Sequence, residues 1–298
     1  MKILITGGTG FIGRHFIKKF SQNQFLVLSR DINKAKSILG KHHKYYSSID
    51  QIPHDEDINT IINLAGEPIA DKRWSASQKI KVQTSRWQTT QELVNWMGRA
   101  STKPKCFLSG SAIGFYGTSI EHTFTENDSA SGEDFSTHLC RQWEDIANTA
   151  PDLTRVVLLR TGIVLAADGG ALKKMLLPFK LGLGGVIGSG QQWMSWIHID
   201  DYLSALEFLL QNDTCQGPFN LTAPEPVRNS VFVKALGSSL FRPALLPMPA
   251  FAMKLALGEA ATLILDGQKV LPRKLLEKGF SFRFNNISKA LNNTFVTT

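Results

Sequence analysis

Gly7, Gly10 and Gly13, within Thr6-Gly7-Gly8-Thr9-Gly10-Phe11-Ile12-Gly13, have the spacing of a loop that cradles a pyrophosphate. Glycine at 7 permits a tight turn, and glycine at 10 lets backbone approach the anion. Glycine at 13 allows close helix–strand packing, while the helix that follows offers unpaired N–H donors. The pattern follows an apolar run and opens an amphipathic segment, which is the context a dinucleotide site requires. Ser29-Arg30 ends the next apolar run, where NAD sites usually place an acid for the ribose hydroxyls. Arginine there can hold a 2′-phosphate by charge-assisted hydrogen bonds, and Ser29 can add a donor. NADP(H) is therefore the expected cofactor, while Asp31, one residue on, keeps an NAD reading open. Asn63-Leu64-Ala65-Gly66 offers small residues against which the adenosine side could lie, or forms a plain strand-to-loop turn.

These residues need a scaffold. Lys2 to Thr6 reads as a strand buried on both faces, and Phe11 to Phe20 has helical spacing. Phe25–Leu28, Thr60–Leu64, Cys106–Ser109 and Arg155–Arg160 read as further strands, with Ala76–Arg99 and Asp134–Thr149 as helices. Strands alternating with helices imply βαβ units and a parallel sheet covered on both faces. The expected fold is α/β, a Rossmann-type doubly wound parallel sheet with a small, mainly helical C-terminal subdomain. Beyond Gly162 regularity weakens, and the glycine-rich stretches Asp168–Gly170 and Gly182–Gly190 read as loops over a cleft. From Arg242 the chain is punctuated by proline and then helical from Ala250 to Leu265. Residues 1–241 are thus expected to form the cofactor-binding domain with its substrate loops, and 242–298 a lid or appended unit.

The chain has 298 residues, 43% of them hydrophobic, enough for a substantial core. Its net charge of +8 favours anionic partners. The cations are dispersed, with no Lys/Arg run longer than two, so they suit a phosphate-bearing cofactor better than nucleic acid. Cys106, Cys140 and Cys215 are far apart and odd in number, which argues against disulfides and a metal site. The chain enters a strand at once, with no leader-like segment and no apolar span of membrane length. A cytoplasmic protein with a small-molecule substrate and no membrane partner is expected; its oligomeric state is not legible.

Together the motifs resemble the extended short-chain dehydrogenase/reductase superfamily, and more narrowly its atypical NADP-binding epimerase-family branch of undefined substrate. The resemblance covers nearly the whole chain. It rests on TGGTGFIG, NLAGEPI with Arg73-Trp74, Ser85-Arg86 with Thr89-Thr90, SGSAIGFYG, LCRQWE and RTGIVL. LPFKLGLGGVIGSGQQWMSWIHIDD and GQKVLPRKLLEKGF complete it. It implies that Ser29 and Arg30 meet the 2′-phosphate, and that Leu64, Ala65 and Gly66 line the adenosine side. It also implies cofactor contacts at Lys81 and Arg86 on the long helix, at Ser109, and along Arg160 to Val164 at the nicotinamide end. Taken alone, Arg86 is equally an exposed helix cation.

Members of that superfamily work with Ser or Thr, Tyr and Lys, tyrosine acting as general acid/base. Ser111 occupies the serine position, though a serine there is also a plain turn residue. The Tyr-x-x-x-Lys pair is expected at the start of the helix carrying Trp143-Glu144. The residues there are Phe135-Ser136-Thr137-His138-Leu139-Cys140-Arg141, with neither tyrosine nor lysine. Tyr116 stands near Ser111 and either faces the cleft or packs beneath the loop. His138 titrates near neutrality or is an exposed helix histidine; Arg141 supplies charge without shuttling protons, and Cys140 lacks the cation. Within Gly188–Asp201, which resembles a substrate-closing loop, Trp193, Trp196 and His198 form a candidate substrate wall, Trp196 being equally suited to the core. Asp200 or Asp201 can cap the helix that follows. These features lead to an NADP(H)-binding oxidoreductase or epimerase acting on a small, sugar-like molecule. The alternative is a non-catalytic NADP(H)-binding regulator working through a protein partner.

Overall fold

The computed structural model describes residues 1–296. The chain opens as β1 (Lys2–Thr6), α1 (Phe11–Lys19), β2 (Gln24–Leu28), α2 (Ile32–Leu39), β3 (Lys44–Tyr46) and β4 (Thr60–Asn63). It continues through α3 (Ala76–Arg99), β5 (Cys106–Ala112), β6 (Ser119–Phe124), α4 (Phe135–Ala147), β7 (Arg155–Thr161), β8 (Ile163–Leu165) and α5 (Gly170–Lys180). Then come β9 (Trp193–Met194), β10 (Trp196–His198), α6 (Ile199–Gln211), β11 (Gly217–Leu221), β12 (Val227–Arg228) and α7 (Asn229–Ser239). The last part holds α8 (Ala250–Leu257), α9 (Thr262–Leu265), β13 (Gln268–Val270), α10 (Arg273–Glu277) and α11 (Ile287–Val296).

Seven strands form one parallel sheet in the order β11-β7-β5-β4-β1-β2-β3. This is the Rossmann-like α/β fold expected from the alternation of apolar runs and helical segments. Side chains alternate across a strand, and β1 shows the consequence. Ile3 and Ile5 pack with Phe16, Val27 and Leu206 in one cluster, while Leu4 packs with Leu26, Trp96 and Met97 in another. Chain order reverses beside β1, so a crevice opens past the carboxyl ends of β1 and β4, the usual place for a ligand in such sheets.

The edge strands β3 and β11 carry no strong apolar alternation, and their pairing to β2 and β7 makes them strands. The region after Gly162, read as loop-rich, also contains α5, started from Gly169 and holding Pro178 in its last turn. The helical stretch from Ala250 to Leu265 is broken, because Gly258 adopts φ +60° and ends α8. The C-terminal region is helical and returns to the body of the molecule. Strand β13 pairs with β6, and Phe284, Ile287 and Leu291 share a core with Leu172, Trp196 and Phe232. Among the described residues no helix is long and apolar enough to cross a membrane.

Candidate functional site

The glycine loop lies where a side chain cannot. Gly7 has φ +68°, and a Cβ there would stand 2.5 Å from the Leu64 carbonyl oxygen; one at Gly13 would stand 2.3 Å from the Gly7 carbonyl oxygen. Gly10 caps α1 without a side-chain hydrogen bond, leaving first-turn N–H groups available for an anion. The loop is braced from below. Thr6 Oγ1 donates to Asn63 Oδ1 (2.6 Å) and accepts from Ala65 N (3.1 Å). Asn63 Nδ2 and Trp143 Nε1 both donate to Thr90 Oγ1, each at 2.8 Å. These bonds tie β1, β4, α3 and α4 together beneath the crevice. A cradle that one Cβ would fill, beside an uncapped helix start, fits a dinucleotide pyrophosphate.

At the end of β2 the carboxylate of Asp31 accepts from Lys34 N (2.9 Å) and so caps α2. One oxygen of the acid that kept the NAD reading open is thereby bonded to the helix start, while the side chain stays exposed. Ser29 Oγ donates to the Asp31 carbonyl (3.1 Å), and Arg30 is left exposed. Arg86 is no surface cation. Its Nη1 donates to the carbonyls of Glu67 and Val82, both at 3.0 Å, and its guanidinium lies 5.3 Å over the Trp143 ring. Burial lowers its pKa, partly offset by the charges of Cys140 and Glu67. Lys81 is exposed and stands apart from the cavity.

A cavity of about 620 Å³ runs from this loop to Trp193 and Gln268. Of the expected cofactor residues, Gly7, Gly10, Phe11, Ile12, Gly13, Leu64, Gly66 and Arg86 are on its wall; Thr9, Ser29, Arg30, Ala65, Ser109 and Val164 are not. Ser109 is fully buried with an unpartnered hydroxyl, and Val164, in β8, belongs to the core.

At the far end Ser111 lies on the wall, and its hydroxyl donates to Glu144 Oε1 at 2.6 Å. Arg160 grips the same carboxylate with two bonds, Nε to Oε1 (2.9 Å) and Nη2 to Oε2 (2.8 Å). Its Nη1 donates to Tyr116 Oη (2.9 Å), which donates on to Asn220 Oδ1 (2.7 Å). Burial pulls the Arg160 pKa down, but the hydrogen bonds and charge of Glu144 outweigh it and raise the value overall.

Two expectations are corrected here. Tyr116 is fully buried beneath the loop, and desolvation pushes its pKa up to about 12, so it faces no cleft and is no acid/base near neutrality. The Arg160 side chain is spent on a buried ion pair rather than on the cavity wall. On α4 the residues that reach the cavity are Ser136, Leu139, Cys140 and Trp143. A Tyr-x-x-x-Lys pair would need two positions four apart on that face; Ser136/Cys140 and Leu139/Trp143 have that spacing, and none is a tyrosine or lysine. Burial pushes the Cys140 thiol up to about 12. His138 is exposed, edge-on to Trp87 at 5.7 Å, and Arg141 lies off the wall.

The expected substrate wall is also redrawn. Trp193 lines the cavity, with Arg228 and Lys269 over its ring at 3.8 and 5.1 Å. Trp196 is buried with Nε1 bonded to the Glu225 carbonyl, and His198 is buried capping α6 through Nδ1. Both face the core instead. Thr161, Gly162 and Ile163 of the expected Arg160–Val164 stretch line the cavity, and residues not singled out complete the wall, among them Tyr202, Ser195, Asp266 and Gln268. Asp266 and Gln268 flank the start of the GQKV motif, the one local signal that pointed toward them.

Residues 3–221 match the NAD dependent epimerase/dehydratase family, and residues 248–294 match a domain of unknown function, DUF1731. A chloroplastic epimerase family protein of Arabidopsis thaliana is 41% identical over 98% of this chain and 86% of its own length. The crystal structure of the human epimerase family protein SDR39U1 with NADPH superposes with a TM-score of 0.92 at 32% identity, covering all of both chains. A Bacillus cereus UDP-glucuronic acid 4-epimerase, solved with UDP-glucuronic acid and NAD, shares the fold at a TM-score of 0.76. It is 17% identical over 100% of this chain and 99% of its own.

Proposed function

We propose, for a chain that belongs to the NAD-dependent epimerase/dehydratase family, that it binds NADP(H) in the glycine-loop half of the cavity. The other half then takes a small organic substrate for oxidoreductase or epimerase chemistry. One observation carries the cofactor choice: Asp31 turns a carboxylate oxygen to the start of α2, which leaves the exposed Arg30 as the cation at the end of β2. When bound, the dinucleotide supplies a hydride donor or acceptor. The chain's part is to cradle the pyrophosphate, meet the 2′-phosphate through Arg30 and Ser29, exclude water and orient substrate at Ser111. Residues 242–298 act as the closing unit, since Thr262, Leu263 and Asp266 line the cavity from that side. Three free, buried cysteines suit a reducing, cytoplasmic setting.

Calorimetry tests the cofactor reading. NADPH should bind about ten- to a hundredfold more tightly than NADH, the worth of charge-assisted bonds to one phosphate. Arg30→Glu should abolish or reverse that preference; equal affinities in the unaltered protein would remove the 2′-phosphate argument. A second reading, a non-catalytic NADP(H)-binding regulator acting through a protein partner, is favoured by Ser136, Leu139, Cys140 and Trp143 at the helix positions where a phenol and an ammonium would be needed. A substrate screen that follows NADPH absorbance, with Ser111→Ala as control, separates the two.

A further inference from the structure

We infer that the far half of the cavity takes an uncharged hydroxyl compound with no phosphate or carboxylate handle, its hydroxyl donating to Ser111. This rests on the cofactor reading above and names the substrate class of the same site. Among the described residues the whole wall carries one cation and two carboxylates: Arg86, Asp134 and Asp266. Arg86 stands beside Gly66, bonded to the Glu67 and Val82 carbonyls, with its guanidinium 5.3 Å over the Trp143 ring between the two halves. Asp134 is committed to the start of α4, accepting from Ser136 N, Thr137 N and Thr137 Oγ1. Asp266 is exposed at the rim with no side-chain partner.

Anionic groups are recognised by forked or clustered cations. A diphosphate or carboxylate entering this end would lose its hydration, find as its one cation Arg86, already bonded to two carbonyls, and meet the Asp266 charge. Burying an unpaired charge is costly. Arg228 and Lys269 do not relieve this: they stand over the Trp193 ring, off the wall, and Arg228 is bonded to the Gln191 carbonyl. The remaining surface is largely apolar, with Ile113, Leu139, Ile163, Trp193 and Leu263 on it.

Ser111 then selects among neutral compounds by the direction of its hydrogen bond. A serine hydroxyl has one proton and two lone pairs. The proton goes to Glu144 at 2.6 Å, and two bonds from Arg160 hold that carboxylate in place. Giving the proton to a ketone oxygen would break a short bond to a charged, buried acceptor. The Cys140 thiol is a further partner of this hydroxyl; the remaining lone pair leaves Ser111 an acceptor, and an alcohol O–H is its complement. Glu144 and Arg160 are positioning residues in this arrangement.

The test is a ligand-observed NMR screen of the full-length protein saturated with NADPH. It uses matched sets of neutral alcohols, their ketones, and phosphorylated or carboxylated analogues, with UDP-glucuronic acid as a separate probe. Alcohol hits are expected to outnumber anionic ones and to bind about tenfold more tightly than the matching ketones, the value of one good hydrogen bond. Ser111→Ala should erase the alcohol preference, and Leu263→Trp, which narrows the cavity, should abolish the hits. Both variants should retain NADPH binding. UDP-glucuronic acid binding below about 1 mM, the upper end of common Michaelis constants, overturns the inference. So do anionic hits as frequent as neutral ones, ketones binding as tightly as alcohols, or no hits at all. Failure to bind NADPH in the first step sinks the cofactor reading and this inference with it. NADPH binding followed by any of those other outcomes sinks only the inference.

Discussion

Ser111, Glu144 and Arg160 set the character of the site at the level of single residues. The SGSA motif made Ser111 legible as a candidate, because it stands near the carboxyl end of a buried strand, β5. Its partner was not legible: Glu144 lies 33 residues away, and β7 delivers Arg160 beside it through the register Ser111↔Arg160. Both ionic partners are buried, and removing one side of such a pair leaves the other charged, desolvated and unpaired. Glu144→Gln should therefore lower stability by about 3–5 kcal/mol. Replacing both Glu144 and Arg160 with methionine should cost clearly less. Urea denaturation measures both; a Glu144→Gln loss under about 1 kcal/mol would show the pair to be no anchor for Ser111.

At the scale of elements, local chemistry was readable wherever one turn or one helical period sufficed. The β1–loop–α1 unit and the bounds of α3 follow from glycine spacing and apolar periodicity. Gly13→Ala should destabilise the protein by about 1–3 kcal/mol through overpacking, since the added methyl meets the Gly7 backbone. An unchanged melting temperature would mean that the loop gives way easily. The cap of α6 makes a pH prediction. Burial, together with nearby Arg283 and against the pull of Asp200, lowers the His198 pKa below its ordinary 6.5. The unfolded chain thus takes up this proton before the folded one, and His198's contribution to stability is lost as pH falls through 6.5 and below. His198→Asn keeps a capping acceptor and should flatten that part of the stability–pH curve. Parallel curves for the two proteins would assign the acid sensitivity elsewhere.

For the whole molecule, the C-terminal segment is bound into the same core as the cofactor fold. Leu291 is fully buried beside Leu172, Trp196 and Phe232. Leu291→Ala should cost about 2–5 kcal/mol and move one cooperative transition, seen by calorimetry as a single shifted peak. Two separated peaks would mean that the segment unfolds by itself. The ion pair between α3 and the C-terminal part is a weaker link. Lys79–Glu259 joins α3 to the C-terminal part at 2.6 Å, yet both side chains are partly exposed, so Glu259→Gln should change stability by less than about 1 kcal/mol.

The chain's own order of residues determined what depends on neighbours in sequence. It set a glycine loop that accepts no side chain, an arginine where NAD sites carry an acid, and the alternation that makes a parallel sheet. It also determined the absence of tyrosine and lysine from the start of α4. Tertiary structure decided which of the remaining polar groups can act. Strand register and crossover packing bring together residues far apart in the chain, and burial then fixes their protonation. That is why Tyr116, close to Ser111 in sequence, is sealed in the core with a raised pKa. Asp31, a plausible ribose ligand by position, is turned to a helix end. Ser111, whose hydroxyl can donate or accept, has its proton held by Glu144.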